Sequence, residues 1–214
     1  MPEVIETIVY TFDELSRAAR EAARDWYRQL GAHHGWWQSV YEDFTMICNC
    51  LGIAPKTRSV NLHGGGTMTE PCIWFSGFCN LGDGACFEGT WRYRRGGNLA
   101  IRAHAPQDEA LHEIADRLQE VQQRNFYQLV ADIGHEGRYC HEYAMVITAE
   151  RDNTHSQPPT DDAEDAVTFA MRDLARWLYQ QLQAEYEHIT SDTEIAAAII
   201  ANEYTLAVSG RRFG

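Results

Sequence analysis

Lysine is almost missing from this chain. Of its 18 basic residues only Lys56 is lysine, and the remainder are arginines set against 31 acidic residues, for a formal net charge of −13. So acidic a polymer repels a phosphate backbone, which argues against general nucleic-acid binding and favours a solvated, mutually repelling surface. A DNA-mimicking acidic stripe fits less well, because much of the acid lies on helices interleaved with arginine. Also lacking is any apolar run near the ~20 residues that cross a bilayer. The opening MPEVIETIVY has acids but no basic region before an apolar stretch, so no secretory signal and no membrane association are expected. Cytoplasmic residence follows as an expectation, with the six cysteines reduced. None of them forms the C-x-x-C pairing of a zinc site, and small buried side chains are their expected role.

Three phosphate and acyl-transfer signatures are absent as well. The chain has no G-x-x-x-x-G-K-[ST], no G-x-G-x-x-G after a strand and no G-x-S-x-G nucleophile elbow. These absences leave 214 residues of ordinary composition, 44% hydrophobic and 23% charged, enough for one domain over 1–214 with a conventional core.

Periodicity supplies the elements. VIETIVYTF reads as a strand, and Thr11 with Glu14 as a capping box. Leu15, Ala18, Ala19, Ala22, Trp26, Tyr27 and Leu30 then recur at helical spacing. A second helix begins near Trp36 and stops at Gly52, and KTRSVNL is a short strand. Residues 72–78 and 85–93 form two strands joined by the turn chemistry of CNLGDG. Phe75, Phe87 and Trp91 face the core, while Cys86, Glu88, Thr90 and Arg92 form a polar face on which Arg92 partners Glu88. Pro106 suits the start of a further helix. NFYQLVADI and YCHEYAMVITAE pair as a hairpin turning at GHEGR. The segment 152–160, with its two prolines, is the expected mobile loop. Thr160 caps a helix of about 29 residues, which either spans the domain or builds an oligomer; a homo-oligomer is the expectation. Ser191 and Glu194 restart a short helix, and EYTLAV is a final strand. Hairpins with helices gathered outside them give an α+β fold, a mainly antiparallel sheet with flanking helices and one long C-terminal helix.

Four stretches carry chemistry. HGGGT, residues 63–67, offers free N–H groups to an anion or is simply a hairpin loop. In GDGACFEG, Asp83 could make the turn, ligate a metal or accept a ribose hydroxyl, and Glu88 needs a partner or a ligand if buried. HEGRYCHEY holds two His-Glu pairs, but the spacing is not that of a zinc helix, so Tyr139 or His141 is expected to serve a pocket instead. Lastly, Trp36, Trp37, Trp74 and Phe78 stand beside glycine-rich loops, where they could stack on a base. Arg58, Arg92 and Arg138 would supply the phosphate contact. The candidate ligand-binding set is therefore Trp36, Trp37, His63, Gly65, Trp74, Ser76, Phe78, Asp83, Glu88, Arg92, Tyr139 and His141, with no catalytic residue, no metal ligand and no cofactor.

TIVYTFDELS, GGGT, WFSGFCNLGDGACFEG, NFYQL, DDAEDAVTFAMRDLARWLY and NEYTLAVSGRRFG together resemble a family of phage and prophage proteins, some of which are labelled as antitoxins of a toxin–antitoxin stability system. The resemblance implies no catalytic residues. It implies action inside an infected bacterial host cell, against host defence. Three functions follow as expectations. The first is a non-enzymatic sponge that sequesters a nucleotide-derived immune signal, of cyclic dinucleotide or cyclic ADP-ribose type. The second is a protein–protein inhibitor or antitoxin that engages a host defence protein through an acidic surface. The third is a metal-dependent hydrolase using Asp83, Glu88, His135 or His141.

Overall fold

The computed structural model describes residues 6–30, 35–62, 64–153 and 157–213. The chain divides into two compact units, Met1–Trp37 with Ala184–Gly214, and Gln38–Gln183. The fold is α+β, with every strand pairing antiparallel. No described helix is long and apolar enough to cross a membrane.

In the smaller unit the capping box at Thr11 and Glu14 is present, with the Thr11 N–H donating to Glu14 at 2.8 Å, but it closes only a 3₁₀ turn, Phe12–Glu14. The helix proper, α1 (Arg17–Gln29), is capped by the Ser16 hydroxyl, which accepts from the Ala19 N–H. Ala19, Ala23 and Tyr27 recur every fourth residue, so one small-residue face is buried with Phe12, Leu15, Ile195, Ile199 and Leu206. Among the described residues, the two terminal strands expected here are reduced to isolated bridges. Of the first, residues 1–5 lie outside the described residues, and Tyr10 makes an isolated bridge to Leu206; the second is reduced to the bridges of Leu206 with Tyr10 and Arg212. Gly210 explains the tight return. A Cβ there would come within 2.0 Å of the Ala19 carbonyl, and its φ of +85° suits glycine.

The larger unit is built on a four-stranded sheet in the order β1-β6-β7-β8, comprising β1 (Ile53–Pro55), β6 (Gly89–Arg92), β7 (Leu129–His135) and β8 (Met145–Arg151). Along β7 and β8 burial alternates, with Leu129, Ala131, Ile133, Met145, Ile147 and Ala149 inward. Two hairpins stand beside it, β2 (Thr57–Asn61) with β3 (Thr67–Pro71), and β4 (Ile73–Phe75) with β5 (Ala85–Phe87). The helices α2 (Gln38–Leu51), α3 (Gly97–His104) and α4 (Glu109–Arg124) follow, with α5 (Ala163–Ile189), whose residues from Ala184 belong to the smaller unit, and α6 (Asp192–Ala201) of the smaller unit. Trp91 anchors the larger core, buried on both faces while its indole N–H donates to the Leu51 carbonyl at 3.1 Å.

Several expectations are corrected. Residues 85–93 are not one strand: at Glu88 the chain leaves the β4–β5 hairpin and enters the four-stranded sheet, the Glu88 N–H bonding to Cys72 and its carbonyl accepting from Lys56. The alternation of faces fails there too, since Ala85, Cys86 and Phe87 are all buried, while Phe75 is only half-buried. Pro106 lies in a turn, and Asp108 caps α4 by accepting from the Leu111 N–H at 3.0 Å. The β7–β8 turn is longer than GHEGR, running over 136–144 and ending in a 3₁₀ turn, Glu142–Ala144. In 152–160, residues 154–156 lie outside the described residues, and Thr160 is bonded to Asn125.

Candidate binding site

The loop between β4 and β5 is held by its own residues. The Ser76 N–H donates to the Gly84 carbonyl at 3.0 Å, and the Ser76 hydroxyl accepts from the Gly84 N–H at 3.2 Å. Asp83 makes the turn: one carboxylate oxygen accepts from the Asn80 N–H at 2.7 Å and the Cys79 N–H at 3.0 Å. Those N–H bonds, Asn80 first, hold its carboxyl below the ordinary aspartate range. Phe78 lies between Phe75 and Tyr179, at ring separations of 5.9 and 5.4 Å, and the Tyr179 hydroxyl donates to the Gly77 carbonyl at 2.9 Å. Gly84 allows the hairpin connection to close on the loop, because a Cβ there would lie 3.0 Å from the Cα of His141.

Glu88 does not pair with Arg92. Its partner is Lys56 at 2.8 Å, because the change of sheet at Glu88 separates it from the strand carrying Arg92. Arg92 reaches Asp152 at 3.1 Å, with both side chains mostly in solvent. Gly65 sits at the tip of the β2–β3 hairpin with its N–H donated to the Leu62 carbonyl, and His63 lies outside the described residues. Trp36 and Trp37 belong to the smaller unit, where Trp36 meets Trp37 and Tyr186 at 6.0 and 5.5 Å. His141 stacks on Tyr143 at 5.2 Å and places Nδ1 3.0 Å from Glu142, a nearly buried carboxylate that Arg176 also meets at 3.3 Å.

Two of the set, Trp74 and Tyr139, are linked through His135, the second by its backbone carbonyl. Trp74 is the central residue of β4, paired with Cys86 in the hairpin, and it is half-buried. The Arg58 guanidinium stands over its indole at 5.6 Å, held from β2 opposite Glu70 on β3, which it meets loosely at 3.5 Å. His135, the last residue of β7, brings its imidazole 5.6 Å from the same indole, tilted by 30°. Its Nε2 donates to the Tyr139 carbonyl at 2.9 Å. Tyr139 is exposed and carries Arg138 over its ring at 5.1 Å, with an Arg138 N–H donating to the phenol oxygen at 3.1 Å. His135 thus joins two arginine–aromatic pairs, one from the β2–β4 region and one from the β7–β8 connection.

Burial raises the Tyr41 phenol and pushes the Cys86 thiol up to about 12, so both are protonated at neutral pH. Burial likewise raises the Cys140 thiol. The four side chains considered for metal hydrolysis, Asp83, Glu88, His135 and His141, each have separate engagements: turn amides, Lys56, Trp74 and Glu142. Among the described residues, no three His, Cys, Asp or Glu side chains converge as a metal ion requires.

The sequence put forward Arg58 and Arg138 as candidate phosphate contacts and Trp74 and Tyr139 as candidate site residues. It did not put forward the linking role of His135, whose signal, a histidine at the end of an alternating strand, is shared by many surface residues. A family model described as a domain of unknown function (DUF8835) matches residues 36–192. No curated protein and no solved structure matches the chain.

Proposed function

The chain belongs to the DUF8835 family, a domain of unknown function, and we propose that it is a non-enzymatic binding protein whose Trp74 cluster holds a small nucleotide-type anion. One observation carries this reading: His135 connects two arginine–aromatic pairs, Arg58 with Trp74 and Arg138 with Tyr139. A base needs an aromatic face, and a phosphate needs guanidinium N–H groups that are not consumed elsewhere. Arg58 has five N–H donors and one loose carboxylate contact, so it can turn from the indole to a phosphate while the base takes its place on the ring. Binding rather than turnover fits the surroundings, because Asp83 and Glu88 are engaged by the fold and the Cys86 thiol is kept protonated.

The phage resemblance makes the ligand a nucleotide-derived immune signal, of cyclic dinucleotide or cyclic ADP-ribose type, sequestered in the cytoplasm of the infected cell by a homo-oligomer. The test is thermal unfolding with each signal at about 100 times its Kd, where linkage adds about 2.7 kcal/mol. At 2–4 °C per kcal/mol for a chain of this size, Tm rises by roughly 5–10 °C, and ligand recovered after denaturation is intact. No shift with any signal, or recovery of a converted ligand, rejects the reading.

A further inference from the structure

The opposite end of β7 carries a second constellation. Phe126 and Tyr127, between α4 and β7, are consecutive non-glycine residues at φ 56° and 60°, in the left-handed region that side chains disfavour. Both are exposed, Phe126 at 71%. A helix ending in this way ordinarily uses glycine, so the aromatic pair is held here against its backbone preference.

What holds it is a pair of buried amides. Gln122, 1% exposed, clamps Leu129 with its side-chain amide, donating to its carbonyl at 2.8 Å and accepting from its N–H at 3.1 Å. Its backbone carbonyl accepts from the Tyr127 N–H at 2.7 Å. Asn125, 0% exposed, uses all four of its amide positions: it donates to the Val121 carbonyl and the Thr160 hydroxyl, and accepts from the Thr160 N–H and from Arg151. Two buried amides therefore fix a loop whose product is a pair of rings turned outward.

Their neighbours are an aromatic and arginines. Tyr93 lies 4.5 Å from the Tyr127 ring, and Arg151 stands over Phe126 at 5.5 Å. Arg92 ends β6, opposite Val130, and Arg124 ends α4, two residues before Phe126. Arg92 and Arg124 make exposed ion pairs with Asp152 and Asp162, the kind that an anion exchanges at little cost. Nearby, Arg95 is exposed and makes no side-chain hydrogen bond or ion pair among the described residues. In a chain of net charge −13 this concentration of arginine beside outward rings is anomalous.

We propose that this end of the sheet is a second binding site, for a planar aromatic anion of the nucleoside-phosphate class. The base stacks on Phe126 and on the Tyr93–Tyr127 pair, and the phosphate is met by Arg92, Arg124 and Arg151. The site is independent of the Trp74 cluster: β7 has seven residues, so its two ends lie about 20 Å apart. A free nucleotide and a single-stranded nucleic-acid segment present the same chemistry, and the experiment separates them.

The probes are AMP, GMP, CMP and UMP, a four-nucleotide deoxythymidine oligomer, and inorganic phosphate, titrated calorimetrically into the full chain. The variants are Phe126→Gly and Trp74→Ala. Phe126→Gly relieves the left-handed strain, so its Tm rises by about 2 °C and misfolding does not confound the result. Mononucleotide binding is read in the Trp74→Ala background, where the first site is disabled, and is expected to weaken at least tenfold when Phe126→Gly is added, the loss of one stacking contact. The same dependence seen with the oligomer alone assigns the site to a strand. Absence of binding by every nucleotide probe at 1 mM, or binding that Phe126→Gly leaves intact, overturns the proposal. Failure of the Trp74 site would appear instead as binding of these probes with no response to immune signals.

Discussion

Asn125→Ala removes a side chain that is fully buried and bonded at four points. The wild-type amide donates at 2.9 Å to the Val121 carbonyl and at 3.0 Å to the Thr160 hydroxyl; it accepts at 2.9 Å from the Thr160 N–H and at 3.0 Å from Arg151. Three of these are neutral bonds of about 1 kcal/mol and one is charge-assisted, at about 1.5 kcal/mol or more. Water can reach Arg151 and Thr160 once the amide is gone, which returns part of the loss. A net destabilisation of about 3–4 kcal/mol remains, and for a chain of this length Tm falls by roughly 6–16 °C. Urea unfolding followed by far-ultraviolet circular dichroism measures it. The midpoint should fall with the slope unchanged, because the surface exposed on unfolding is nearly the same. A loss below about 1 kcal/mol would refute the claim that this buried network holds the Phe126–Tyr127 loop.

Other outcomes follow from the same contacts. Asp83 has its folded pKa depressed by turn amides, so its contribution is present above the unfolded carboxylate pKa and is lost as pH falls through the lower folded value. Asp83→Asn should therefore lower Tm at pH 7 and flatten its decline on acidification below about pH 4; an unchanged acid profile would contradict the assignment. Native alkylation at pH 7.5 should modify exposed Cys79 first and leave buried Cys48 and Cys86 untouched until unfolding, as peptide mass mapping would show. Ser191→Ala removes the cap of α6, whose hydroxyl accepts from the Glu194 N–H, and should cost about 1 kcal/mol in denaturant unfolding.

Legibility in the sequence followed the range of the interactions involved. The stripe Val167, Ala170, Met171, Leu174, Leu178 and Leu182 repeats locally, and α5 forms where it recurs. The β7–β8 pairing was readable for the same reason, from two alternating runs that meet in register from Leu129 with Arg151 to His135 with Met145. Residues 85–93 misled because their apolar alternation is continuous, while the break at Glu88 is imposed from afar by β1, whose Pro55 pairs with Gly89. α3 was missed because its eight residues bury only Gly97 and Ile101. At the candidate site, Trp74 and Tyr139 stood out as aromatics near polar loops, and Asp83 could be read as a turn residue. Glu88 was assigned the wrong partner because Lys56 comes from 32 positions away. Nothing in NFYQL announces two left-handed residues, since their conformation depends on Thr160, 35 positions from Asn125.

The central claim is that the Trp74 cluster binds a nucleotide-type anion, and the most direct measurement is a calorimetric titration of cyclic dinucleotides and cyclic ADP-ribose into the wild-type chain and into Trp74→Ala. Saturable binding by the wild type, weakened at least tenfold in Trp74→Ala as expected for one lost stacking contact, is the anticipated result. Equal binding by both proteins, or none by the wild type, would contradict it.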